Sequence, residues 1–305
     1  MLWCGAGVLE ATRPGFVGRV HGTFDDGFYV SEAERIGGRE RPSRARPWPE
    51  RPVNAANKSG RDPLTTHSAL TYRRGPSGPS EEIFAVMGPQ HWPGPLHLVA
   101  GEMAELPAVH ERVRVSDGTL VAGPVCVPLD GCRRWAPSLP ERLEAEPAAW
   151  HGLAAGVDVE LAPVWEAVRQ DLRRGDLAAV FGRLAGRGAG LTPSGDDVLA
   201  GILLVCAMDP ACRGALGRLA RSARTTALSR GCLRWAAAGQ SIQPAHALLD
   251  AAADGDPNAM GRAARSLAAV GATSGWALIA GIALAATELP RTEVTRTMAS
   301  RPAVG

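Results

Sequence analysis

The chain has 305 residues, 45% of them hydrophobic and 21% charged, with a formal net charge of +2. That length allows a large core or two domains, and the composition is that of an ordinary soluble globular protein. The near-neutral balance, with acids interleaved among the bases, speaks against the basic stripe or tail of a nucleic-acid binder.

Lys58 is the only lysine among 33 basic residues, a compositional bias rather than a site. The six cysteines, at 4, 126, 132, 206, 212 and 232, form no CxxC pair, so no structural metal site is expected. Cys126 with Cys132, and Cys206 with Cys212, are close enough in sequence to pair; free buried thiols in a reducing cytoplasm are the expectation. The first residues, MLWCGAGVLEATRPGF, have neither a basic leader nor a long apolar run, so no signal peptide is expected and the chain reads as cytoplasmic.

The N-terminal half reads as β. GRVHGTFDDGFYVSE alternates on both sides of an Asp-Asp-Gly turn, and EEIFAVMG, GPLHLVAG, ERVRVSDGTLVAG and PVCVPLD are short β-branched runs punctuated by Gly, Pro and Asp-Gly. These runs predict a small antiparallel sheet or barrel over residues 8–135, within a β-rich domain of residues 1–138. Residues 37–80 interrupt it with Pro, Arg, Gly and Ser, too little apolar surface to offset the entropy of ordering, and read as a mobile insertion.

From Pro140 the spacing of apolar residues changes to three and four, which predicts an all-α domain of about eight helices over residues 139–305. Residues 215–239 read as one continuous helix in this pattern, and the last ten residues as frayed. The fold class expected is therefore α+β, an N-terminal antiparallel β domain followed by a helical one. The charge-free run 266–287 raises the question of a membrane span, but only Trp276 to Ala286 is continuously apolar, which is too short for the roughly 20 residues a span needs. His151 and His246 fall in helical segments without partners at metal spacing, and no G-x-S-x-G, Walker A or H-E-x-x-H motif occurs.

A gapless repeat lies inside the helical half. Ser194-Gly195-Asp196-Asp197-Val198-Leu199-Ala200-Gly201-Ile202-Leu203-Leu204 aligns with Ser274-Gly275-Trp276-Ala277-Leu278-Ile279-Ala280-Gly281-Ile282-Ala283-Leu284. Thr192 precedes the first copy and Thr273 the second. Ser and Thr suit helix caps, and Gly lets a chain turn or a ligand approach the backbone. Gly201 and Gly281 each cost about 1 kcal/mol inside a helix, which makes sense where two helices cross closely. The two apolar helices should therefore pack together with their N-terminal ends adjacent, offering backbone N–H groups and positive dipole ends to a small anion.

Asp196 and Asp197 open the first of these helices. Asp near a helix N-terminus can simply cap it, but neighbours on a helix point roughly 100° apart, so the two cannot share one job. An acid beside an anion site serves as a general base or holds an Mg²⁺ that a phosphate shares. The candidate catalytic residues are thus Asp196 and Asp197, with Mg²⁺ the one cofactor the pattern admits and no protein metal site expected. Ser222 to Ser229, with Arg224, Thr225, Thr226 and Ser229, form a second cluster able to donate to a phosphate or carboxylate, or else the polar face of a surface helix. Its S-x-R-T spacing is similar to the carbamoyl-phosphate motif of aspartate and ornithine carbamoyltransferases. The candidate substrate-binding set is Thr192, Ser194, Gly195, Arg224, Thr225, Thr226, Ser229, Thr273, Ser274 and Gly275.

Gly188, the run Gly190 to Asp197, Leu199 and Gly201 resemble the AllH-like family, long catalogued as a domain of unknown function. Thr225 to Ser229 and Gly271 to Gly275 add to the resemblance, which covers mainly residues 140–290. It implies a subunit of an oxamate carbamoyltransferase in anaerobic allantoin (purine) degradation, acting with partner subunits on carbamoyl phosphate or a similar anion, without nucleic acid or membrane. In the second copy Trp276 and Ala277 stand where the resemblance leads one to expect polar or acidic residues. Two other functions fit the residues: a small-molecule kinase with a ribokinase-like anion-hole turn at S-G-D-D, and a non-catalytic ligand-sensing or scaffolding subunit.

Overall fold

The computed structural model describes residues 2–13, 15–32, 35, 36, 39, 40, 83–153 and 160–289. Most of the insertion expected at 37–80 and the chain end expected to fray lie outside the described residues.

The N-terminal half is built from β1 (Trp3–Gly5), α1 (Ala6–Ala11), β2 (Val17–Phe24), β3 (Gly27–Glu32), β4 (Arg35–Ile36), β5 (Arg39–Glu40), β6 (Ile83–Met87), β7 (His97–Val99), β8 (Arg112–Ser116), β9 (Thr119–Ala122), β10 (Val125–Pro128) and β11 (Arg133–Trp135). Nine strands form one sheet in the order β10-β9-β8-β2-β3-β6-β7-β1-β11, and β4 pairs with β5 alone. The predicted hairpins form where turn chemistry dictates. β2 and β3 close over Asp25-Asp26, and β8 and β9 over Asp117 and Gly118, both at positive φ (49° and 68°) as a two-residue hairpin turn requires.

The sheet is mixed, which corrects the antiparallel expectation. β6 runs parallel to β7, and β1 runs parallel to β11 while pairing antiparallel with β7. The reason is non-local: the first strand of the chain inserts between two late ones, and a local alternation pattern carries no information about that. The helix α1 was likewise absent from the expectation. The two edge strands are β10 and β11, joined only by residues 129–132. Five peptide steps reach at most roughly 18 Å, whereas nine strands laid flat would separate their edges by roughly 38 Å. The sheet must therefore curl. Its concave core holds Val20, Phe28, Val30, Phe84, Val86, Leu98, Val113 and Leu120.

The helical half contains α2 (Pro147–His151), α3 (Ala162–Arg173), α4 (Leu177–Leu184), α5 (Ser194–Cys206), a 3-10 turn (Pro210–Cys212), α6 (Arg213–Ser222), α7 (Ala227–Ala237), α8 (Gln243–Ala253), α9 (Pro257–Ala268) and α10 (Ser274–Glu288). The charge-free run is divided between α9 and α10, and among the described residues no helix is long and apolar enough to cross a membrane. The helix expected over 215–239 breaks into α6 and α7 at Ala223 to Thr226. Ala223 is extended, and Thr226 starts α7 by accepting the Ser229 N–H at 3.0 Å.

The helix α7 belongs to both cores. Leu228 joins the sheet's cluster, with Cys232 and Trp235 packed against it, whereas Leu233, Ala236 and Ala237 join the helical cluster. Three polar contacts reinforce the join. The Trp135 indole donates to the Ser241 carbonyl at 2.8 Å, and the Gln243 N–H to the Pro93 carbonyl at 2.9 Å. His246 accepts the Ser241 N–H at 3.0 Å and lies 3.3 Å from the Ser138 carbonyl. Burial pushes that imidazole down to about 4, so it is neutral at physiological pH. All six cysteines are free thiols.

Candidate functional site

The repeat is a structural duplication, and α5 and α10 are its centre. A Cβ on Gly201 would lie 2.4 Å from the Leu278 carbonyl oxygen, and one on Gly281 would lie 2.1 Å from that of Val198. The contacted residues are themselves equivalent in the two copies, so the crossing is pseudo-symmetric. The entry turns match as well. The Gly195 N–H donates to the Arg187 carbonyl at 2.8 Å, and the Gly275 N–H to that of Val270 at 2.9 Å. In each turn the helix-opening glycine is wedged against the end of the preceding helix, where a Cβ would meet the Leu184 or Leu267 carbonyl oxygen at 2.2 or 1.8 Å. The first turn is the longer one and bends through Gly186, Gly188 and Gly190, all at positive φ (68°, 114° and 89°).

The crossing brings the two helix starts together, as the sequence pattern predicted. The Thr192 and Ser274 hydroxyls are hydrogen-bonded at 3.0 Å across the pseudo-symmetry. Beneath them the adjacent acids have different surroundings. Asp196 is buried; its Oδ1 accepts the Gly186 N–H at 2.8 Å and its Oδ2 accepts the Thr225 hydroxyl. It fastens the glycine-rich turn to the break between α6 and α7. Thr226 donates to the Leu191 carbonyl at 2.5 Å and Ser229 to the same oxygen at 3.3 Å, so these two hydroxyls hold the same loop.

Asp197 faces the other way. Its residue surface is only part-buried, but its Oδ2 is closed off from solvent and has no hydrogen-bond partner. Burial pushes this carboxyl well above the ordinary aspartate range; the Ser274 hydroxyl pulls it down, and neighbouring Asp196 pushes it further up. Cys232, on α7, borders the pair. Burial, then Asp197 and Asp196, push its thiol up to about 12, so it stays protonated there.

The helix starts also differ in the donors they offer. In α5 the N–H groups of Gly195, Asp196 and Asp197 are spent on the carbonyls of Arg187 and Pro193. In α10 the Gly275 N–H is spent, but among the described residues those of Ser274 and Trp276 donate to no acceptor. Trp276 takes the place that Asp196 holds in the first copy, and is 44% exposed. Thr273 and Arg224 are exposed, whereas Ser194, Gly195 and Gly275 are buried in the turns. Among the described residues no group of three or more His, Cys, Asp or Glu is arranged to hold a metal ion.

The structure thus gathers Thr192, Ser194, Gly195, Asp196, Asp197, Thr225, Thr226, Ser229, Ser274 and Gly275 around one junction. Sequence reasoning missed Cys232 and the Gly186 N–H. Cys232 follows Ser229 by three residues and so shares its helix face, a signal that becomes readable once the start of α7 at Thr226 is known.

Residues 184–286 match the family model described as oxamate carbamoyltransferase subunit AllH. Over those residues the chain is similar to that family. The matched span runs from the end of α4 to the last turns of α10, so it takes in both entry turns, the α6–α7 break and the α5–α10 crossing. No curated protein matches the chain. No solved structure matches it.

Proposed function

We propose that this AllH-like chain is a subunit of an oxamate-carbamoyltransferase-type complex, and that the joined starts of α5 and α10 seat a small anion such as carbamoyl phosphate. The observation that carries the reading is the junction itself. Asp197 has one sealed carboxyl oxygen without a partner, its carboxyl is met by the Ser274 hydroxyl, which also bonds Thr192, and α10 opens with two unspent N–H groups. A buried polar group left without a partner costs about 1–3 kcal/mol, which a fold tolerates where a ligand supplies the partner.

The two acids look at first like a poor place for an anion. Asp196, however, is occupied by two donors, and the shift of Asp197 towards its neutral form removes charge from the turn. The anionic end belongs at α10, where N–H groups and the helix dipole favour it. Carbamoyl transfer breaks the bond between the carbamoyl carbon and the phosphate oxygen, and donors at that oxygen stabilise the charge that develops on it. Thr225, Thr226 and Ser229 act by holding the loop, Arg224 adds positive charge at the rim, and Asp197 orients the nucleophile. Partner subunits complete the enzyme.

A thermal-shift titration tests the seat. Carbamoyl phosphate at about 100 times its dissociation constant should stabilise the chain by about 2.7 kcal/mol, and Asp197→Asn should alter that response. Carbamoyl phosphate, phosphate and oxamate all leaving the melting curve unmoved would remove the reading.

A further inference from the structure

His246 stands where the two halves meet and is buried, with 3% of its surface exposed. Its Nε2 accepts the Ser241 N–H at 3.0 Å, so in the neutral ring Nδ1 carries the proton and donates to the Ser138 carbonyl, 3.3 Å away. Ser138 lies in the connection between β11 and α2, and Ser241 in the turn between α7 and α8. One imidazole thus ties the exit of the sheet to the helical half. The Trp135 indole closes the same set of contacts: it packs at 5.9 Å against His246 and donates to the Ser241 carbonyl at 2.8 Å. We propose that His246 is a proton-operated latch between the halves, which holds the β11–α2 connection to the α7–α8 turn while neutral and releases it in a mildly acidic medium.

The geometry suits only the neutral ring. A proton on Nε2 would set one N–H against another, that of Ser241, and leave a buried backbone donor without its acceptor. Nothing beside the ring offsets the added charge. The elements packed on it present Trp135, the Ser138 carbonyl and the Ser241 N–H. No charged side chain is among the influences on the imidazole, and Asp250, the one acid of α8, is exposed. Burial therefore holds the ring at about 4, down from an ordinary 6.5. A folded value below the unfolded one means that the contribution to stability is complete above about 6.5 and is lost as pH falls from there towards the folded value. That window opens while ordinary carboxylates are still ionised. The latch grips the turn that follows α7, and the start of the same helix, at Thr226 and Ser229, holds the Leu191 carbonyl in the loop of the candidate site. Protonation thus acts on the helix common to both cores, from the end away from the site.

Urea unfolding of the full chain at about pH 7.5 and about pH 5.5 tests the latch in the wild type and in His246→Gln, whose side-chain oxygen can accept the Ser241 N–H and cannot titrate. Between those pH values the wild-type folding constant should fall about tenfold further than that of the variant, as the difference between 6.5 and about 4 requires. Hydrogen exchange of the Ser241 amide locates the effect. At the acid end it should be faster in the wild type than in the variant, and the wild-type rate should not change with urea below the unfolding transition, because opening the latch exposes little surface. Should the glutamine variant lose its folding transition, His246→Leu carries the same urea comparison. Equal pH dependence in the two chains overturns the latch. So does a Ser241 amide that exchanges only with global unfolding, and so does a His246 ring resonance that titrates near about 6.5 in the folded protein.

Discussion

Asp196 and Asp197 are the same amino acid in consecutive positions, and the fold gives them different work. Asp196 accepts from Gly186 and Thr225 and so fixes a loop. Asp197 keeps a sealed oxygen without a partner, and its carboxyl is raised well above the ordinary range, chiefly by burial. A group whose folded pKa exceeds its unfolded value, about 3.9 for Asp, is held most favourably when protonated. Its contribution to stability is complete below the unfolded value and is lost as pH rises through the folded one. Asp197→Asn removes the titration. The variant should melt close to the wild type at about pH 4.5 and a few degrees higher at about pH 8.5, with the gap opening as pH rises. Differential scanning calorimetry across that range decides it. A gap that stays constant, or a variant less stable at the alkaline end, would show that the carboxylate is well solvated or well paired in the folded chain.

At the scale of elements, the α5–α10 crossing sets the site, because it determines where the two helix starts meet. Gly281→Ala separates two effects of opposite sign. Helix propensity alone favours alanine by about 1 kcal/mol. The crossing opposes it, since the added Cβ would lie 2.1 Å from the Val198 carbonyl oxygen, which is backbone and cannot swing away. Overpacking of this kind costs about 1–3 kcal/mol and sometimes more, so denaturant unfolding should show a net loss and the response to carbamoyl phosphate should weaken with it. An alanine variant as stable as the wild type would mean that the helices separate without cost. Both the repeat and the close crossing were legible in the sequence, because glycine at matching places in two apolar helices has few other uses. The polar run Ser222 to Thr226 was less legible. Its apolar spacing continues a helix, and the break becomes visible only through the Thr226 cap and the contacts that Thr225 and Thr226 make with a loop remote in sequence. The sealed oxygen of Asp197 was not legible at all, since it depends on Ser274 and Cys232 arriving from other helices.

At the scale of the whole molecule, the strands and helices were legible as local patterns, but the way the halves join was not. The parallel pairings of β1 with β11 and of β6 with β7 are set by long-range docking, and so is the double role of α7. That helix looks like one amphipathic stripe in sequence, yet it buries Leu228 in the sheet's core and Leu233 in the helical core. A split near residue 138, natural by composition, would expose the sheet-facing side of α7 at Leu228, Cys232 and Trp235 and cut the Trp135 and Pro93 bonds. At about 1.5–3 kcal/mol for each large side chain returned to water, the loss is of the order of 5 kcal/mol, comparable with the whole stability of many domains. We therefore propose that the two halves fold as one cooperative unit. A polypeptide of residues 139–289 should keep much of its helical circular dichroism, lose a sharp thermal transition and bind a hydrophobic dye. If it melts cooperatively within a few degrees of the full chain, the helical half is autonomous. The sheet would then act on the site only as a wall laid against α7.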